Sequence, residues 1–362
     1  MRHELSVSIV VKNGASKIIE CLSRLVGLAD ELVIVDTGST DNTVELVRKF
    51  SKTVRIPVII EPVGSLFLDD EDNFDFGRAK AYGYSLATKE YVMWADVNDM
   101  LDDAKSARAK FDKATSMYSH VNIIMYTRTS RKFKFPRLRI TKRETSKFCN
   151  PIHEYVVDSY PKKKFIAFKN EFINFKKSRD AKRNLKSLIK LWKRVHSLRT
   201  AYYIATTYKD IKDKKNARLW YEHCLSEFPF WEFEETIVAA DFLINEAFAF
   251  GKYDKVDELT MDMIENAPDR AEGYYYRHIY NLKKNNIELA IKCLSKILEL
   301  PLPRNSRIGI NQKAYNKKEC AARIEELLRQ VNYDKQKLNT DARIYNSMAE
   351  AIDATQFMTT IY

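Results

Sequence analysis

The amino-acid sequence predicts an α/β domain built on a mostly parallel, Rossmann-like sheet, followed by an all-α domain of paired helices. Short apolar strand-like runs alternate with helical patterns as far as about residue 175. Beyond that point the alternation gives way to long helical patterns rich in Tyr, Leu, Ala and Lys. Within them Pro229, Pro268 and Pro301 each close a segment, at spacings of 39 and 33 residues. These bracket the ~34-residue period of a tetratricopeptide-like helical hairpin. The expected boundaries are 1–175 for the α/β domain, 176–340 for the helical domain and 341–362 for a last helix or tail.

The elements read in order. "LSVSIVVKN" (5–13) is β-rich and apolar, and "ASKIIECLSRLVGL" (15–28) has helical spacing through Ile18, Ile19, Leu22, Leu25 and Val26. "ELVIVDTG" (31–38) is a second strand. "STDNTVELVRKFS" (39–51) opens a helix with the capping types Ser39, Thr40 and Asp41, the last read as its N-cap. A third strand runs through Ile56, Val58, Ile59 and Ile60, a helix through "GRAKAYGYSLATK" (77–89), and a fourth strand through "YVMWADVND". Short, nearly all-apolar strands separated by helices indicate a parallel sheet covered on both faces. In such sheets ligands bind outside the carboxyl ends of the strands. Asp36 and Asp96 both fall at such ends. The fourth strand emerges into Asp96, Asn98 and Asp99, with Asp102 and Asp103 following, a set of oxygen ligands that invites a cation.

Of the 362 residues, 45% are hydrophobic and 30% charged, as expected of a soluble globular protein. No apolar run approaches the ~20 residues needed to cross a bilayer, and the N-terminus enters a strand without the features of a secretory signal. The expected location is cytoplasmic, with any membrane contact peripheral. The five cysteines are dispersed and suggest neither zinc nor a disulfide framework. The net charge of +12 favours anionic partners. Residues 1–175 hold 28 Lys and Arg against 23 Asp and Glu, and the remainder 33 against 26. So dispersed an excess does not indicate a dedicated nucleic-acid partner.

Three stretches carry a resemblance: residues 8–50, "FDFGRAKAYGYSLATKEYVMWADVND" (74–99) and "NPIHEYVV" (150–157). In this order they resemble an inverting family-2 glycosyltransferase of the GT-A fold. The likeness is to the branch of lipopolysaccharide-core glucosyltransferases and peptide S-glycosyltransferases, which commonly carries a helical repeat domain after the catalytic one. The second stretch has that branch's spacing between an F-x-x-A-R-N helix and a D-x-D-E turn, and the third matches its V-H-E segment. The resemblance implies a nucleotide-sugar donor, a UDP-hexose first, and a glycan, lipid-linked or peptide acceptor. It also implies a divalent cation, Mn²⁺ or Mg²⁺, bridging the donor phosphates.

Site residues follow from the same likeness. Asp96, Asn98 and His153 are the expected metal ligands; Asn98, where relatives have Asp, brings an amide oxygen without charge. Val11, Lys12 and Asn13 at the first strand's end, with Asp36 and Gly38 at the second's, are expected around the nucleotide. Lys80 holds the family's Arg position and is expected to face a phosphate as a point charge. Arg137 lies where relatives carry an arginine before V-H-E. Glu154 is the expected base for the acceptor proton, Asp99 its rival, and His153 a companion at the diphosphate. The basic run 128–143 reads either as a positive wall for diphosphate or as a solvated edge strand. The acidic segment 66–75 reads as a surface loop, and the aromatic residues from Trp220 to Phe233 as hairpin packing. The helical domain is expected to position the acceptor or to pair two subunits. A transferase-like scaffold is the alternative, since Gly14, Lys80, Ala81 and Asn98 all depart from the family pattern; a nucleic-acid binder is a weaker one.

Overall fold

The computed structural model describes residues 2–69, 73–129, 134–174, 181–229, 233–303 and 311–330. The expected last helix or tail at 341–362 lies outside them, as do Asp70–Asp72, residues 130–133, Phe230 and Trp231. Among the described residues no helix is long and apolar enough to cross a membrane.

The strands and helices of the first part alternate as β1 (Leu5–Val11), α1 (Ile18–Leu25), β2 (Glu31–Asp36), α2 (Thr43–Ser51), β3 (Val58–Pro62), α3 (Phe76–Leu86) and β4 (Tyr91–Asp96). Then come β5 (Asp99–Leu101), α4 (Ala104–Met117), β6 (Val121–Thr129), β7 (Lys134–Lys142), β8 (Ser146–Cys149), β9 (Tyr155–Asp158) and β10 (Lys164–Asn174). The main sheet has the order β3-β2-β1-β4-β7-β6-β10-β5. Its first four strands are parallel, as the apolar runs predict, and β7 joins β4 antiparallel. Register decides where the strand tips meet: Val11 pairs with Asp36 and Val10 with Asp96. Both acidic residues therefore flank the end of β1.

Both sheet faces are covered. Leu5, Val7, Ile9 and Val11 of β1 pack with Ile18, Leu22 and Leu25 of α1 and Phe111 of α4. On the other face Val33, Val35, Val92 and Trp94 pack with Ala79 and Tyr84 of α3. Strand alternation puts Trp94 and Asp96 on this second face together. Helix α3 approaches closely because two glycines permit it. A Cβ on Gly83 would lie 2.2 Å from Ser8 Oγ, and one on Gly77 2.3 Å from the Asn150 carbonyl oxygen.

The basic strand β7 lies inside the sheet, between β4 and β6, and not at an edge. Its pairing with β6 passes from Ile123↔Ile140 to Ile124↔Leu138, leaving Arg139 as the extra residue of a bulge.

The chain divides within α7 (Lys214–Ser226) into two compact units, the first running through Ala217 and the second starting at Arg218. The first unit thus extends past residue 175 to take in α5 (Ala181–Trp192) and α6 (Leu198–Asp210). In the second, α8 (Glu234–Ala249) pairs with α9 (Tyr253–Asn266) and α10 (Ala271–Lys283) with α11 (Ile287–Glu299), before a turn at Gln312–Tyr315 and α12 (Lys317–Gln330). The second helices of these hairpins begin 34 residues apart, at Tyr253 and Ile287. Pro229, Pro268 and Pro301 each stand just past a helix end, since proline cannot continue a helix. Tyr221 is buried with its ring centroid 4.5 Å from that of Phe242, in keeping with hairpin packing.

Candidate active site

The loops at the ends of β1 and β2 are tied to each other. Asp36 Oδ2 accepts from the backbone N–H of Gly38 at 3.3 Å and of Ser39 at 3.1 Å, and its other oxygen from the Ser39 hydroxyl. Gly38 has a φ of +88°, a left-handed backbone that suits glycine. Asn13 Oδ1 accepts from the backbone N–H of Thr40 at 2.8 Å, and its own N–H donates to Ser39 Oγ at 2.8 Å. Val11 is buried beneath and Lys12 stays exposed. Asp41 accepts from the N–H groups of Ala15 and Thr43, both at 3.1 Å, while Asn42 takes the N-cap position. Asp36 thus shapes its own turn at the carboxyl end of β2.

The tip of β4 is a set of paired charges. The Lys80 ammonium lies 3.0 Å from Asp96 Oδ1 and 2.7 Å from Glu154 Oε1, and 3.9 Å from the centroid of the Trp94 ring. Lys80, expected to face a phosphate, bridges two carboxylates. Its side chain is almost fully buried, that of Glu154 largely so, and that of Asp96 remains 41% exposed. Burial alone would raise the Asp96 pKa, but Lys80, with Arg139 and Arg137 behind it, holds it down to about 2. For Lys80 burial pulls the pKa down, and the two carboxylates more than reverse this and raise it.

A second pair lies deeper. Arg139, turned out of the ladder by its bulge, places Nη1 2.9 Å from Asp99 Oδ2, with both side chains buried. Its Nη2 donates to Thr127 Oγ1 at 2.9 Å, and its guanidinium carbon lies 4.0 Å from the Trp94 centroid. Burial lowers the Arg139 pKa, and Asp99 opposes that. Asp99 also accepts from the Asp96 backbone N–H at 3.2 Å. Arg137 is half-buried, 5.5 Å from the Trp94 ring. Asn98, between β4 and β5, is half-buried too.

The third motif docks backbone to backbone on α3. The Phe76 N–H donates to the Pro151 carbonyl at 2.8 Å, and Gly77 makes room for Asn150. Asp75 caps α3 by accepting from the Arg78 N–H at 2.8 Å. His153, with a φ of +51°, lays its ring flat on Tyr203 of α6, 3.7 Å between centroids. The fold therefore gathers Lys80, Asp96 and Glu154 in direct contact, sets Asp99 behind them on Arg139, and turns the His153 ring onto α6. Among the described residues no group of three or more His, Cys, Asp or Glu side chains forms a metal cluster.

Two participants escaped the sequence reading. Trp94 read as an apolar core residue, although its i, i+2 relation to Asp96 was a usable signal. Tyr203 carries no signal in its own helix.

Comparison with known proteins agrees with the motif reading. Residues 6–157 match the Glycosyl transferase family 2 model. A TPR repeat-containing protein of Synechococcus elongatus is 24% identical over 165 residues, covering 43% of this chain and 36% of that protein. The chain thus spans about a third of that relative's length. Among solved structures, S. aureus TarS 1–349 in complex with UDP-GlcNAc aligns with a TM-score of 0.40 and 12% identity, over 79% of this chain and 89% of that one. S. aureus TarS aligns with a TM-score of 0.38 and 11% identity, over 79% and 54% respectively. Residues 6–157 of this chain are thus similar to glycosyl transferase family 2, the family that its three motifs resemble.

Proposed function

We propose that the chain is an inverting glycosyltransferase that moves a hexose from a UDP-sugar to a glycan, lipid-linked or peptide acceptor in a single displacement. The observation that carries this reading is the Lys80 ammonium held between Asp96 and Glu154, because it joins the second and third motifs at one point beside the tip of β1. Glu154 is the general base, taking the acceptor proton as the nucleophile attacks the anomeric carbon. The rival, Asp99, is fully buried against Arg139 and accepts a backbone N–H, so its oxygens serve the fold. Lys80 and Arg137 supply positive charge beside the leaving diphosphate. Asp36, Asn13 and Gly38 shape the nucleotide side.

The donor set at the end of β4 fits a divalent cation of the sparse kind. Asp96 is ionised and partly exposed, and Asn98 lies two residues on. Mg²⁺ and Mn²⁺ commonly take one or two protein oxygens and complete their shell with phosphate and water. Asp96 and Asn98 would hold the ion, which when bound neutralises charge on the departing diphosphate. In this reading the His153 ring serves the shape of its turn. The hairpins of the second unit offer a surface for the acceptor or for a second copy of the chain.

The test is a thermal-shift panel of UDP-, GDP- and dTDP-hexoses with and without Mn²⁺, followed by assay of nucleotide release. UDP-sugars should raise the melting temperature, and Glu154→Gln should keep that shift while losing about 10²–10⁴ in rate. Full activity in Glu154→Gln removes the assigned base. Absence of any nucleotide shift favours a transferase-like scaffold.

A further inference from the structure

Helix α6 lies outside all three motifs, yet it grips the residues on both sides of Glu154. The ring planes of Tyr203 and His153 are 6° from parallel, with centroids 3.7 Å apart. One turn earlier, Arg199 donates from Nη2 to the His153 carbonyl oxygen at 3.4 Å. The Arg199 guanidinium carbon is also 5.0 Å from the Tyr155 ring and 4.9 Å from that of Tyr203. The residue so gripped is in an uncommon state. His153 has a φ of +51°, a left-handed backbone that a non-glycine residue holds only where its surroundings impose it. The helix is itself anchored, with Ala201, Ile204 and Ala205 buried and Ser197 capping its start by accepting from the Thr200 N–H at 3.3 Å.

We propose that Tyr203 and Arg199 are positioning residues for sugar transfer: they impose the left-handed turn at His153 that presents Glu154 to Lys80 and Asp96. This rests on the reading of Glu154 as the base. Were His153 to relax to a right-handed backbone, the chain would leave the turn in a new direction and carry Glu154 off Lys80. Displacements of about 1 Å in a reacting group cost on the order of 100-fold in rate.

The experiment uses the full chain with Tyr203→Ala, Tyr203→Phe and Arg199→Gln. It measures UDP release from UDP-glucose and UDP-N-acetylglucosamine, and determines the crystal structure of Tyr203→Ala. Tyr203→Ala should lose about 10–100-fold in kcat with donor KM within about threefold, whereas Tyr203→Phe, which keeps the stacked ring, should stay within about twofold of wild type. In the Tyr203→Ala crystal Glu154 should no longer reach Lys80. A turn and a Lys80–Glu154 contact unchanged in that crystal overturn the proposal, as does an unchanged kcat. If Tyr203→Ala does not fold, Arg199→Gln carries both readings. Full activity in Glu154→Gln would overturn the choice of base instead, and the crystal structure would still decide whether α6 sets the turn.

Discussion

The Nζ of Lys80 lies 2.7 Å from Oε1 of Glu154, a residue 74 positions later in the chain. Asp96 completes the bridge at 3.0 Å, and the Trp94 ring roofs the ammonium. A buried lysine held by two carboxylates joins the second and third motifs into one electrostatic unit.

Replacing Lys80 by Met takes from both carboxylates the cation that touches them and leaves Asp96 only the more distant Arg139 and Arg137. Breaking a buried pair costs about 3–5 kcal/mol. Because Asp96 is 41% exposed, water should take up part of this, giving about 2–3 kcal/mol. The Lys80 pKa is raised, since the two carboxylates outweigh the effect of burial. Its stabilisation is therefore complete below the ordinary lysine pKa of about 10.4, and fades only as pH climbs through the higher folded value. The gap in urea midpoint between wild type and Lys80→Met should be the same at pH 7 and pH 9. A gap that closes by pH 9 contradicts this.

Arg139 and Asp99 should behave as one unit. Arg139→Met and Asp99→Leu should each destabilise by about 3–5 kcal/mol, because each strands a buried charge. The double variant should cost at least about 1 kcal/mol less than the sum. Denaturant unfolding of the four proteins reads the cycle, and strict additivity would mean that the two charges are solvated independently.

Gly83 is a matter of space. A methyl there would sit 2.2 Å from Ser8 Oγ but only in ordinary or slightly tight contact, 3.3–3.5 Å, with Val35 Cγ2 and Ser8 Cβ. Gly83→Ala should therefore cost about 1–3 kcal/mol by overpacking α3 against β1. Adding Ser8→Ala should recover most of that loss, as read by melting temperature. No recovery would mean that the helix cannot return to its seat.

In the second unit, burial lowers the His278 pKa to about 4, with Arg323 adding to the effect. The unfolded histidine titrates near 6.5. Between these values the unfolded chain binds more protons, so stability falls as pH drops from about 6.5 to 4, by on the order of 2–3 kcal/mol. His278→Gln should remove that share of the slope. Urea unfolding at pH 7 and pH 4.5 checks it, and an equal pH loss in both proteins would refute it.

Much of the fold was legible in the chain because its signals are local. The apolar runs at 5–11, 31–36 and 91–96 became the parallel strands β1, β2 and β4, since strands buried on both faces are nearly all apolar. Prolines marked helix ends for the same local reason. Of the basic run 128–143, read as one strand, Lys134–Lys142 form β7 while Arg128 and Thr129 end β6, and the place of β7 inside the sheet was not legible. Alternating charge describes an exposed edge and a bulged inner strand equally well until its partners are known.

Residue types and their order were thus enough to show the likeness to a family and to nominate Asp96, Lys80 and Glu154. Composition could not say that Lys80 would bridge two carboxylates, that Arg139 would leave its ladder to meet Asp99, or that Tyr203 would lie on His153. Those contacts join residues 74, 40 and 50 positions apart. The first two exist because burying a charge demands a partner, the third because packing lays one ring on another, and only the folded chain determines which groups come near.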